Sequence, residues 1–186
     1  MKNLSQLPTD LPVPVDDGAC DHLTGSNMPS VALRCTSGTD IDLSKVDGLS
    51  VIFFYPMHGH PDAPPMIGWN DIPGARGCTP QACSFRDSYT RLTELGVNVF
   101  GVSAQSLTAQ KEASERLELP YLLLNDSEFK LSKAMKLPTF EYDSSTFIKR
   151  ITLICENGVI KKTFYPVFPP DKNVYDVLDW IEGRYQ

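Results

Sequence analysis

The sequence predicts an α/β fold, a central mixed β-sheet with helices on both faces. Three observations predict it. Residues 51–55 form a short apolar run, Val51-Ile52-Phe53-Phe54-Tyr55, that ends at Pro56, the pattern of a strand buried on both faces. Residues 97–102 repeat that pattern, and helix-like segments at 80–95 and 107–117 alternate with these runs. Near the C-terminus, residues 151–154 and 159–165 flank Glu156-Asn157-Gly158 as a hairpin, which adds antiparallel strands to the alternating ones.

Residues 1–29 lack periodicity, carry Gly25-Ser26-Asn27 as turn chemistry, and read as an N-terminal arm on one domain spanning 30–186. Residues 31–34 and 41–43, joined across Ser37-Gly38, suggest a small hairpin. A long polar, proline-rich stretch at 57–77 follows the first buried strand. The helix at 80–95 begins near Cys78, tolerates Pro80 in its first turn and stops at Gly96. Residues 121–124 are strand-like, 128–135 a short helix, and 174–183 a closing helix.

A chain of 186 residues suits one well-buried domain. The formal charge of −6 and a pI near 5.0 leave no basic footprint, which argues against nucleic acid and acidic membrane surfaces as partners. The N-terminal segment has no apolar core of signal-peptide length, and no run approaches the roughly 18 apolar residues of a membrane span. The expected location is therefore the cytoplasm. Five cysteines, an odd count, fit a reducing compartment in which a disulfide is catalytic rather than structural.

Cys78 and Cys83 carry the chemistry. They lie five positions apart in Gly77-Cys78-Thr79-Pro80-Gln81-Ala82-Cys83-Ser84-Phe85-Arg86-Asp87, at the predicted helix start. On an intact helix that step is about 7.5 Å of rise and roughly 140° of net rotation, whereas a disulfide needs Cα atoms within about 7 Å and converging Cβ vectors. The two thiols can bond only if the first turn unwinds, which is how a transient disulfide behaves. At a helix N-terminus beyond the end of a strand, the Cys78 sulfur meets unpaired N–H groups and the positive end of the helix dipole, both of which favour thiolate. Lowering a thiol from its ordinary pKa near 8.5 to about 6 raises its ionised fraction at neutral pH roughly thirtyfold, less the accompanying loss of nucleophilicity. Arg76 and the remote Arg150 are the cations available to it.

The run Phe53-Phe54-Tyr55-Pro56, together with the segment from Gly77 to Asp87, resembles the peroxiredoxins of the Q type, also called bacterioferritin comigratory proteins, of the broader AhpC/TSA family. The resemblance covers most of the chain and implies a thioredoxin-like three-layer fold. It implies a thiol peroxidase acting on hydrogen peroxide and organic hydroperoxides. Cys78 would attack a peroxide oxygen and become a sulfenic acid, Cys83 would resolve it as an intramolecular disulfide, and a thioredoxin- or glutaredoxin-type reductant would recycle the enzyme. Arg150, in Lys149-Arg150-Ile151-Thr152, matches the family's active-site arginine, and the Cys78 N–H would also donate to the peroxide. The resemblance further implies a monomer or weak dimer that needs no cofactor and no metal.

One position departs from the family pattern, which runs Pro, three residues, Thr or Ser, two residues, Cys. Ala75 stands three before Cys78, so the hydroxyl that polarises peroxide is missing. The matching proline is Pro56, far upstream, which makes residues 57–72 an inserted loop. Either Thr79, Arg76 or a group from that loop would replace the hydroxyl, or the site would be slower and differently selective. Arg76 reads equally as thiolate partner or solvated charge.

Cys35 and Cys155, in apolar strands, read as packing residues, and Cys20 belongs to the arm. His58 and His60, two apart in a loop, read as surface residues rather than a metal clip. Trp69, with Met66 and Ile67, reads as the loop's anchor on the domain, with a hydrophobic lid over the peroxide pocket or a partner-binding patch as the alternatives. Two other functions fit less well. A disulfide oxidoreductase on this fold would use the tighter C-x-x-C, and a redox sensor would oxidise once rather than turn over.

Overall fold

The structure, a computed structural model, describes residues 7–63 and 66–184. The first six residues of the predicted arm and two of the inserted loop lie outside them. Five strands form the central sheet: β3 (Leu49–Phe54), β4 (Val97–Ser103), β5 (Leu122–Asn125), β8 (Ile151–Glu156) and β9 (Val159–Phe164), in the spatial order β5-β4-β3-β8-β9. β3, β4 and β5 run parallel, while β8 is antiparallel to β3 and to β9. The sheet is therefore mixed, as the sequence predicts. β3 is central and buried along its whole length, which is why it reads as an unbroken apolar run rather than an alternating one.

One face of the sheet is covered by α1 (Cys78–Asp87), α2 (Tyr89–Glu94) and α5 (Asn173–Glu182), which contribute Phe85, Leu92, Val174, Val177 and Ile181 to a core with Val51, Phe53 and Ile154. The other face is covered by the arm, by the hairpin of β1 (Ala32–Arg34) and β2 (Asp40–Asp42), and by α4 (Lys130–Ala134), through Leu23, Leu33 and Leu131. The helix α3 (Leu107–Arg116) links β4 to β5.

Two aspects of this architecture position the site. The Phe53 ring stacks on Phe85 of α1, with centroids 4.7 Å apart and planes within 3°. Gly101 makes room for it, because a Cβ there would lie 2.8 Å from Phe53 Cζ and 2.6 Å from Leu123 Cδ2. Truncating a buried phenylalanine costs about 3–5 kcal/mol, so this stack is a principal tie between α1 and the strand that precedes the site. The arm is also fixed. Gly25 and Met28 donate to the carbonyls of Ile160 and Gly158, and Lys149 and Tyr165 both donate to Asp17, at 3.0 and 2.8 Å, holding its carboxyl down at about 2.

Three expectations need correction. The helix expected at 80–95 is two helices, interrupted at Ser88. A hairpin of β6 (Thr139–Tyr142) and β7 (Ser145–Ile148) occupies a region the sequence pattern left without structure; its turn places Asp143 and Ser144 at φ 47° and 59°. That hairpin carries the inserted loop: Trp69 packs between Phe140, Tyr142 and Phe147, at centroid distances of 5.8, 5.4 and 5.0 Å. Met66 joins this cluster, but Ile67 does not and is 91% exposed.

Candidate active site

Gly77 sets the start of α1. It sits at φ +112°, and a Cβ would fall 2.3 Å from Pro170 Cγ, so only glycine allows the chain to enter the helix this close to the 3-10 turn before α5. Cys78 is then the first residue of α1, beyond the carboxyl end of β3, and is 3% exposed. The first-turn hydrogen bond from Gln81 N to Gly77 O measures 3.0 Å.

Two donors converge on the Cys78 sulfur. Arg150 Nη2 donates at 3.1 Å and the Met57 backbone N–H at 3.4 Å, while the Ala75 carbonyl oxygen lies 3.7 Å away. Arg150 directly precedes β8 and is buried; its Nη2 also reaches the carbonyls of Gly74, Ala75 and Arg76 at 3.2, 3.2 and 3.3 Å. Its Nη1 donates to Gln81 Oε1. Gln81 Nε2 in turn donates to Asn173 Oδ1 at 3.0 Å, and Thr152 Oγ1 donates to the same oxygen at 2.6 Å. A continuous polar chain, Thr152-Asn173-Gln81-Arg150, thus runs through the core and fixes the guanidinium on the sulfur. The Nε–H of Arg150 is buried with no partner among the described residues.

The structure brings Arg150 and the Met57 N–H, which follows Pro56 in the chain, onto the Cys78 sulfur and separates the neighbouring charges. Lys149, next to Arg150, points away to Asp17 and Tyr165. Arg76 is half-buried and gives its backbone carbonyl to Arg150. Thr79 and Pro56 are buried beside the site. Cys83 lies on the same intact helix, half-buried, with its thiol pushed up by burial against a smaller opposing effect of Arg86. Burial pushes Cys20 and Cys155 up to about 12. At Cys35 burial is outweighed by hydrogen bonds from Ser37 and Thr39, which lower it.

His58 departs from the expected surface residue. It is 4% exposed, its ring lies on Tyr55 with centroids 4.2 Å apart, and neither ring nitrogen has a partner among the described residues. Burial, reinforced by the charges of Arg116 and Arg150, lowers its pKa to about 3. It is neutral at physiological pH and adds no cation to compete with Arg150. His60 is exposed.

Gln81, Asn173, Thr152 and the Met57 amide are the site groups that sequence reasoning missed. Gln81 had a signal, since it sits inside the C-x4-C run. The others are far from Cys78 in sequence and carry none.

This mixed sheet, with a buried cysteine opening a helix beyond its central strand, lies within residues 23–178, which match the Redoxin family; the chain belongs to the redoxin family. Among curated proteins it is similar to the chloroplastic peroxiredoxin Q of Oryza sativa subsp. japonica, 32% identical over 161 residues, spanning 86% of this chain and 66% of the rice protein. Among solved structures it is similar in fold to peroxidoxin BcpB of Mycobacterium tuberculosis, with TM-score 0.69 and 23% identity over 87% of this chain and 97% of that one. It also matches a bacterioferritin comigratory protein of Xanthomonas campestris described for alkyl peroxide reduction, with TM-score 0.67 and 18% identity over 95% and 100% of the two chains. Within the redoxins, the chain is a peroxiredoxin of the Q type, being 31% identical over 161 residues to the chloroplastic peroxiredoxin Q of Sedum lineare, over 86% of this chain and 77% of that one.

Proposed function

We propose that this chain reduces hydrogen peroxide and organic hydroperoxides through Cys78, with Cys83 as the resolving thiol and a thioredoxin-type dithiol as reductant. The observation that carries the reading is the buried Arg150 guanidinium 3.1 Å from the Cys78 sulfur, which complements a sulfur anion and remains there as charge moves onto the peroxide. The Cys78 thiolate attacks one peroxide oxygen, the O–O bond breaks, and the departing oxygen takes a proton and leaves as water or alcohol. The product is a sulfenic acid. The first turn of α1 then unwinds, Cys83 attacks the sulfenic sulfur, and water leaves as the disulfide forms. An external dithiol returns two electrons by exchange.

An apolar cavity of about 360 Å³ beside Arg150, walled by Val13, Val15, Ile72, Phe140 and Val167, supports room for an organic substituent. The raised Cys83 thiol supports a resolving group that stays protonated until the helix opens.

The test is peroxide consumption with excess thioredoxin and its reductase. The wild-type protein is expected to consume many equivalents per site. Cys83→Ser is expected to react with the first equivalent within about twofold of the wild-type rate, then to lose thioredoxin-supported turnover as the sulfenic acid overoxidises or forms mixed disulfides. Consumption of one equivalent only by the wild type would make the chain a sensor.

A further inference from the structure

The start of the inserted loop is held by an arrangement that the chemistry above does not explain. The Gln105 side chain grips both backbone polar groups of residue 58: its Oε1 accepts from the His58 N–H at 2.7 Å, and its Nε2 donates to the His58 carbonyl at 3.1 Å. Gln105 is itself held. Its backbone N–H donates to Ser103 Oγ at 3.1 Å, and its carbonyl accepts from Asn125 Nδ2. One residue further along the loop, the Gly59 carbonyl accepts from Arg116 Nη2 at 3.0 Å. One residue earlier, the Met57 N–H donates to the Cys78 sulfur.

From this geometry we infer that Gln105 is a positioning residue for the peroxidatic thiolate: by clamping the backbone of residue 58 it holds the Met57 N–H on the Cys78 sulfur, supplying a fixed donor at a site whose hydroxyl position is occupied by Ala75. The inference rests on the reading of Cys78 as the nucleophile. The loop needs such a clamp because it leaves β3 after Pro56 and, among the described residues, takes no regular structure until the 3-10 turn at Trp69–Asp71. An N–H on a free loop would average over many orientations, and ordering it costs backbone entropy. Two hydrogen bonds from a side chain fixed to the end of β4 meet that cost before the substrate arrives, so the donor is in place when charge develops. The His58 ring, with its centroid 4.2 Å from that of Tyr55, is a second anchor for the same residue.

The test uses Gln105→Leu and Gln105→Met, which remove both hydrogen bonds; Met preserves length and packing should Leu fail to fold. The readout is the pH profile of Cys78 alkylation by iodoacetamide, followed by peptide-resolved mass spectrometry, alongside the rate of the first peroxide reaction. The midpoint of the alkylation profile is expected to move upward by about one pH unit, and the peroxide rate at neutral pH to fall about tenfold. Urea unfolding checks that the variant is native. A folded variant with an unmoved midpoint overturns the inference, whether its peroxide rate is retained or lost, because a loss without the shift is structural only. Alkylation needs no peroxide, so an absence of peroxidase activity in the wild type would leave this test readable.

Discussion

Arg150→Met is expected to slow the reaction of Cys78 with hydrogen peroxide by about 100- to 1000-fold. In the resting site the guanidinium contributes a charge-assisted hydrogen bond to the sulfur, a class worth about 1.5–3 kcal/mol. In the transition state negative charge spreads from sulfur to both oxygens, and a preorganised donor in a buried site is worth about 10²- to 10³-fold in rate. Met replaces the side chain with an apolar one of similar length, so the hydrogen bond and charge are lost together. Gln81 Oε1 and the carbonyls of residues 74–76 also lose their donor, and part of the effect is the loosening of the segment that presents Cys78. Arg150→Lys keeps the charge but cannot span sulfur and Gln81 with one planar fork, and it is expected to recover only part of the rate. Stopped-flow intrinsic fluorescence with peroxide in excess measures both variants. A rate for Arg150→Met within threefold of wild type would remove Arg150 from the site's chemistry.

The second expected result is a stability that falls on mild acidification because of one residue. His58 has an ordinary pKa near 6.5 in the unfolded chain and about 3 in the fold, where burial and then the charges of Arg116 and Arg150 oppose protonation. Between those values the unfolded chain binds a proton that the native protein does not, so stability rises with pH across the window. The contribution is fully present above about pH 6.5 and is lost progressively as the pH falls toward 3. At about 1.4 kcal/mol per unit, the loss between pH 7.5 and 5 is about 2 kcal/mol. His58→Phe, which keeps a ring on Tyr55, is expected to flatten that part of the profile. Urea unfolding of both proteins at pH 7.5 and 5 provides the check: equal pH dependence in the two would mean that the imidazole is hydrated or protonated in the native state.

Cys78 was legible because its signal is local. Gly77, Pro80 and the C-x4-C spacing all lie within one turn or two of the sulfur, and the apolar run that ends at Pro56 marks the strand behind it. Arg150 was legible only through family resemblance, since nothing near it in the chain distinguishes a buried guanidinium from a solvated one. The polar chain that orients it joins residues 81, 150, 152 and 173, contacts made by tertiary packing and invisible to any local pattern. The β6–β7 hairpin escaped notice for a different reason. Its turn places Asp143 and Ser144 in the left-handed region without the glycine that usually announces such a turn. The burial of His58 goes with the Gln105 side chain, which fixes by its backbone a loop residue that sequence spacing assigns to the surface.

Turnover by this mechanism requires that Cys78 and Cys83 meet. The α1 helix holds them apart, with Tyr121 donating to the Ala82 carbonyl at 2.7 Å and Gln81 tied to both Arg150 and Asn173. The decisive measurement is peptide mapping by mass spectrometry of the reduced protein after one equivalent of hydrogen peroxide. The expected product is a Cys78 to Cys83 linkage that thioredoxin reverses. Cys78 left unmodified after minutes of exposure, or linked instead to Cys20, Cys35 or Cys155, would contradict it.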